Sequence, residues 1–253
     1  MAADVRHGAV TLKWSERFAG WRRRVEFALL PAHCLLCRAP SDTRRDLCRA
    51  CAADLQLNQP CCRRCALPLQ RNEPLCGICL KHEPPFAAAW APYRYAYPLD
   101  QLVTRFKFGR DLAAGRVLQE LWIAAAKNTP PVLPALLVAI PLHTARLRER
   151  GYNQALELAK PLAETFGIPL AHDLLIRHRA TQAQTGLDLK TRSRNVKDAF
   201  VVRPDVSLPA HIVLLDDVMT TGATMRECAR TLRRAGAERV DVWALARAPQ
   251  RRS

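Results

Sequence analysis

The sequence has no apolar run long enough to cross a bilayer. Its longest, Val132 to Leu142, is 11 residues and is broken by Pro134 and Pro141, where a membrane helix needs about 20. The opening residues carry no hydrophobic segment of the secretory type. Membrane insertion is therefore not expected, and a cytoplasmic location is. Acidic residues are also few, 23 against 39 basic, and the formal net charge of +16 is spread along the chain rather than gathered in a tail. Such an excess suits polyanions, either phosphorylated ligands or nucleic acid. A solvated Arg-rich surface would produce the same total, so charge alone does not decide between them.

What is present begins with size and cysteine. The chain has 253 residues, 49% of them hydrophobic, enough for one α/β domain of ordinary size plus a small satellite. Ten cysteines in a cytoplasmic setting point to metal rather than disulfides, and their spacing is regular. Cys34-x2-Cys37-x10-Cys48-x2-Cys51 is followed by Cys62-x2-Cys65-x10-Cys76-x2-Cys79, the same pattern moved on by 28 residues. Each CxxC turn aims two thiolates at one ion, so eight cysteines make two tetrahedral zinc sites. Closed four-thiolate sites leave no position for water and are structural. Spacing leaves open whether the ligands pair within each repeat or across the two. Cys61, His33 and His82 are taken as bystanders. With few aliphatic residues, the segment 31–82 should depend on metal for its folding.

Around this unit the chain divides further. Residues 1–30 place Trp14, Phe18 and Trp21 on one helical face among Arg17, Arg22, Arg23 and Arg24, which predicts an N-terminal helix. Lys81 to Pro85 forms a linker, and 86–250 a second domain. There, Ala88 to Tyr97 is β-prone, with Pro92 marking an edge or bulged strand. A basic-aromatic segment around Phe106-Lys107-Phe108 follows, then a helix from about Leu112 to Ala126. A buried strand, Ala135 to Ile140, leads into an Arg-rich loop (Arg146, Arg148, Arg150) and a helix reaching about Phe166, a place where phosphates could bind. The basic stretch 177–197 is expected to be an exposed helix. Strands at Ala199 to Val202, Ile212 to Leu215 and Val240 to Ala246 complete an alternation that predicts a parallel α/β sheet. Cys228 is expected in the core.

The most informative stretch runs from Ile212 to Thr224. An apolar run without alternation suits a strand covered on both faces, and its end lies at the carboxyl edge, where open α/β sheets bind ligands. Asp216 and Asp217 stand there. Thr220, Thr221, Gly222, Ala223 and Thr224 follow, so backbone N–H groups and hydroxyls can converge on an anion at the start of the next helix, Met225 to Ala235. Two carboxylates beside a phosphate cradle need a ligand that also offers hydroxyls or a divalent cation. A phosphorylated sugar supplies both. The loop lacks the first glycine and the lysine of a Walker P-loop, which disfavours nucleotide hydrolysis.

This segment resembles the phosphoribosyl pyrophosphate (PRPP) motif of type I phosphoribosyltransferases. The chain from 31 to 247 resembles the ComF, or GntX-like, family. The resemblance rests on the double CxxC repeat, Phe106-Lys107-Phe108-Gly109, the block Pro141-Leu142-His143 to Arg150-Gly151-Tyr152-Asn153-Gln154, and Asp216-Asp217 with Thr220 to Thr224. It implies a parallel-sheet phosphoribosyltransferase-like domain preceded by a double zinc ribbon. The acidic pair would hold the ribose hydroxyls and the Thr-Gly loop the 5′-phosphate of PRPP, with Mg²⁺ on the ligand and two structural Zn²⁺. The family's link to natural competence implies a role in DNA uptake or handling of imported DNA, with single-stranded DNA or DNA-uptake proteins as partners. If the chain is a transferase, Arg146, Arg150 and Lys107 are the candidates for charge stabilisation at the pyrophosphate, beside Asp216 and Asp217, and the segment 100–111 is the candidate covering loop. The alternative is a non-catalytic nucleic-acid or protein-binding module on the same scaffold.

Overall fold

The computed structural model describes residues 32–43, 45–178, 196–204 and 206–250. The expected helices at 1–30 and within 177–197 lie outside those residues, apart from the ends of the second.

The cysteine repeat is a repeat in three dimensions. Cys48 and Cys76, both extended, open two five-residue helices, α1 (Arg49–Ala53) and α2 (Gly77–Lys81). Each is preceded by a turn in which one residue takes the left-handed conformation, Arg38 (φ 64°) and Ala66 (φ 54°). Their N–H groups donate to Cys34 O and Cys62 O, both at 2.8 Å. The flanking bridges His33 to Pro40 and Cys61 to Pro68 are offset by the same interval as the cysteines.

The second domain is built on a six-stranded sheet. Its strands are β1 (Ala89–Trp90), β2 (Tyr93–Arg94), β3 (Leu136–Ala139), β4 (Leu170–Ala171), β7 (His211–Met219) and β8 (Arg239–Arg247). The order is β1-β8-β7-β3-β4, with β2 also on β8, and every pairing in it is parallel. β1 and β2 are the two halves of the predicted bulged edge, separated by Ala91 and Pro92. Two further strands, β5 (Leu175–Arg177) and β6 (Phe200–Val202), pair antiparallel as a separate ribbon.

Alternation along the central strands divides the core in two. Leu137, Val213, Leu215, Trp243 and Leu245 face α3 (Leu99–Phe108), α4 (Leu112–Asn128) and α6 (Gln154–Phe166). Val138, Ile212, Leu214, Val242 and Ala244 face α7 (Ala223–Arg234) and the β5–β6 ribbon. The first cysteine unit packs into the former cluster and the second into the latter, so one zinc ribbon braces each face of the sheet. Asn58 fastens the second unit to the edge strand, donating through Nδ2 to Ala66 O (2.8 Å) and Ala91 O (3.1 Å).

Two expectations need correction. The segment 100–111 is not a covering loop: α3 occupies most of it, because Leu99, Leu102, Val103 and Phe106 recur at helical spacing and are all buried. Each contributes about 1.5–3 kcal/mol through burial, which holds the segment down. The Arg-rich loop after β3 is a short helix, α5 (Thr144–Arg150), capped by the His143 ring and closed by Gly151 at φ 85°.

Candidate functional site

Chain direction creates the crevice. From β3 the chain moves outward to β4, and from β7 it moves the opposite way to β8, so the topological switch point lies between β3 and β7. Ligands of open α/β sheets bind outside the carboxyl ends at such a point. The β3–β7 pairing ends at Ala139 with Leu215, and the next two residues of β7 are Asp216 and Asp217. The strand does not stop at them, as the sequence suggested, but continues to Met219 against β8.

Neighbours in a strand point to opposite faces. Asp217, almost fully buried, faces α3, where the Lys107 ammonium lies 2.9 Å from its Oδ2. Asp216 faces α7 and the β5–β6 ribbon, where its charge is felt by Arg177 and by the Cys228 thiol. Burial, reinforced by the adjacent Asp217 charge and opposed by Lys107, pushes the Asp216 carboxyl up to about 7. Burial alone would depress the Lys107 ammonium, but Asp217 and Asp216 outweigh it and raise its pKa. Cys228 is buried as expected, its thiol held neutral by burial and by Asp216.

Beyond β7 the chain turns through Thr220 and Thr221 into Gly222, the residue before α7. Gly222 has φ 75°, and a Cβ there would lie 2.6 Å from Met219 Cε. The positive φ is what calls for glycine here, and a side chain would also displace the Met219 methyl. Thr221 Oγ1 accepts from Ala223 N at 3.2 Å, and the 12-residue helix α7 begins there, four residues past the end of β7.

The predicted basic residues divide. Lys107 joins the acidic pair. Arg146, half-buried on α5, has its pKa lowered by burial and then by Arg150. Arg150 is turned aside: its guanidinium lies 5.2 Å from the centroid of the exposed Phe108 ring, and Nη1 donates to Gln154 Oε1 at 3.1 Å. Tyr152 donates its hydroxyl to Phe106 O, and Arg110 donates to Glu149 O at 2.7 Å. These contacts clamp the end of α3 to the end of α5.

Sequence reasoning missed Arg247. This last residue of β8 is 4% exposed and donates through Nη1 to Met219 O (2.9 Å), Thr220 O and Ala248 O (2.8 Å), and through Nε to Cys65 O (3.1 Å). The available signal was a single charge closing the apolar run Val-Trp-Ala-Leu-Ala.

The cysteines separate into Cys34, Cys37, Cys48, Cys51 and Cys62, Cys65, Cys76, Cys79, with the sulfurs of each set within 4.8 Å of one another. Ligands therefore pair within each repeat. Cys37 to Cys48 and Cys65 to Cys76 are each 3.7 Å between sulfurs, against about 3.8 Å for the edge of a tetrahedron with zinc–sulfur bonds of about 2.3 Å. Burial would raise the Cys34 and Cys62 thiols, but backbone N–H groups bonded to the sulfurs outweigh it and hold them at about 6 and about 7. Both tetrads fit structural zinc. Cys61, His33 and His82 belong to neither set.

Comparison with known proteins agrees with this architecture. A double zinc ribbon domain matches residues 27–80 and a phosphoribosyl transferase domain matches residues 153–253. Competence protein F of Haemophilus influenzae is 38% identical over 178 residues, 68% of this chain and 78% of that protein. The DNA utilization protein YhgH of Salmonella typhimurium is 36% identical over 223 residues, 86% of this chain and 98% of that protein. Competence protein ComFC of Streptococcus pneumoniae is 28% identical over 159 residues, 62% of this chain and 67% of that protein. Among the described residues no helix is long and apolar enough to cross a membrane.

Proposed function

The chain belongs to the ComF family, and from that premise we propose that it binds PRPP with Mg²⁺ in the β3–β7 crevice and serves the uptake or handling of imported DNA. One observation carries the ligand: a carboxylate pair at the switch point, Asp216 half-buried and Asp217 buried against Lys107, runs directly into a left-handed glycine turn and a helix N-terminus. Asp216 and Asp217 accept hydrogen bonds from the ribose 2′ and 3′ hydroxyls. The loop Thr220, Thr221, Gly222, Ala223 and Thr224 takes the 5′-phosphate through N–H groups and hydroxyls.

Phosphoribosyl transfer is the reaction such a pocket is equipped for. An acceptor nucleophile bonds to the anomeric carbon as the bond from that carbon to pyrophosphate breaks. Positive charge grows on the sugar ring and negative charge on the leaving group. Mg²⁺ bound with the ligand supplies charge neutralisation at the pyrophosphate. Lys107, held against Asp217, and Arg146 add positive charge beside it. Arg150, held on Phe108 and Gln154, positions the mouth of the site.

The test is calorimetric titration of the zinc-loaded protein with PRPP and Mg²⁺, beside the Asp216→Asn/Asp217→Asn double variant. Saturable, Mg²⁺-dependent binding that disappears in the variant is expected. No binding by folded wild-type protein would leave the alternative, a nucleic-acid module on this scaffold, which the net charge of +16 favours. Oligonucleotide affinity would then fall steeply with salt and be indifferent to the two carboxylates.

A further inference from the structure

Arg247 is buried, and its guanidinium meets main-chain carbonyls and the Cys65 side chain rather than a carboxylate. A buried guanidinium without a carboxylate is costly unless negative charge lies close by. The second cysteine tetrad supplies it, because four thiolates around one Zn²⁺ keep a net negative charge, and Arg247 rests on the carbonyl of one of those ligands, Cys65. Its other end holds the carbonyls of Met219 and Thr220, the two residues that lead into Thr221 and Gly222. Ala248 N–H donates to the same Met219 carbonyl at 3.0 Å, closing a small network behind the loop. One planar guanidinium thus spans from a zinc ligand to the root of the phosphate turn.

The first tetrad is wired elsewhere. Beside it, Arg105 Nη1 donates to Leu35 O at 2.6 Å, while Nη2 of the same residue pairs with Asp111 at 2.7 Å. That link ends on α3, not on the loop.

We infer that Arg247 is a positioning residue through which the second zinc site sets the conformation of residues 219–224, so that loading of this site and binding of a phosphoribosyl ligand are linked. Zinc fixes the turn from Cys62 to Ala66, the turn fixes the Cys65 carbonyl, the carbonyl fixes Arg247, and Arg247 fixes the loop. Linkage is reciprocal: a ligand held by the ordered loop must also tighten zinc binding at the second site by the same factor. The ligand half rests on the PRPP pocket proposed above, whereas the link from zinc to loop does not.

The experiment measures amide hydrogen exchange at 219–224, zinc content, and PRPP·Mg²⁺ affinity in the full chain. Cys65→Ser removes the second metal but keeps the carbonyl; Arg247→Lys keeps both metals and cuts the link; Cys37→Ser disturbs only the first site. Faster loop exchange in the first two variants and unchanged loop exchange in Cys37→Ser are expected, with affinity lowered roughly 5- to 150-fold, the usual range of coupling between sites. Wild-type loop exchange in a zinc-loaded Arg247→Lys protein overturns the proposal, and that variant decides the matter if Cys65→Ser fails to fold. Should the wild type bind no PRPP, the pocket assignment falls, and loop exchange still reports on the link.

Discussion

Asp216 concentrates the chemistry of the site in one carboxyl. In an unfolded chain it would titrate near 3.9, whereas in the fold burial and Asp217 bring it to about 7. Between those values the folded protein keeps a proton that the unfolded chain has lost, so folding stability falls as pH rises from about 4 to about 7 and then levels. Asp216→Asn removes the titration at almost constant shape. Its urea midpoint should therefore gain on the wild type progressively across that window and hold the gain above it; a difference that stays constant from pH 4 to pH 8 would count against a strained carboxyl. Strain of this kind suits a ligand site, since hydroxyls and a cation relieve it on binding. The residues that show it were legible as chemistry, because two adjacent acids before Thr-Thr-Gly have few structural uses. Their division between opposite faces, and the pairing of Asp217 with Lys107, 110 residues earlier, depend on how α3 packs, which no local pattern records. Arg247 was hidden for the same reason: its partners come from Cys65, Met219, Thr220 and Ala248, which are scattered along the chain.

At the scale of elements, the cysteine units were legible because a thiolate tetrad leaves its ligands in fixed intervals. The helix α3 was hidden by its composition: Arg105, Lys107 and Arg110 read as an open basic segment until the buried Leu99, Leu102, Val103 and Phe106 are counted at their spacing. The two zinc units, although repeats, differ in exposure. In the first, Cys37 is exposed and Cys51 half-buried, whereas all four cysteines of the second are buried. A chelator attacks thiolates that water can reach, so zinc should leave in two phases under a colorimetric chelator. About one equivalent goes first, and Cys37→Ser deletes the fast phase. Release in a single phase of two equivalents would mean that the units open together. Slow loss from the second unit is what its place behind the phosphate turn requires.

For the molecule as a whole, the ribbons solve a problem that the sheet creates. β1 and β2 form an edge, and an uncovered edge offers unpaired N–H and C=O groups to any other strand. Here the segment joining the two zinc units lies along it. Arg94 N–H donates to Gln56 O and Asn58 N–H to Pro92 O, both at 2.8 Å, and Leu57 bridges Tyr93. Behind this edge Trp90 packs on Trp122 and Trp243, at 6.4 and 5.7 Å between ring centroids, so the strand itself stays seated when its cover is lifted. The anchors of the cover are Cys tetrads on either side, Asn58 in the middle, and little aliphatic core of its own. Removal of both metals under reducing conditions should therefore free the cover while the sheet persists, exposing a seated and adhesive edge. The expected outcome is retained β-sheet signal in circular dichroism with a mass by light scattering above that of the zinc-loaded protein, reversed by adding zinc. Metal-free protein that keeps the zinc-loaded mass would show that the edge is guarded by something other than the ribbons; loss of the sheet signal would show that the ribbons hold the core together and do more than cover it.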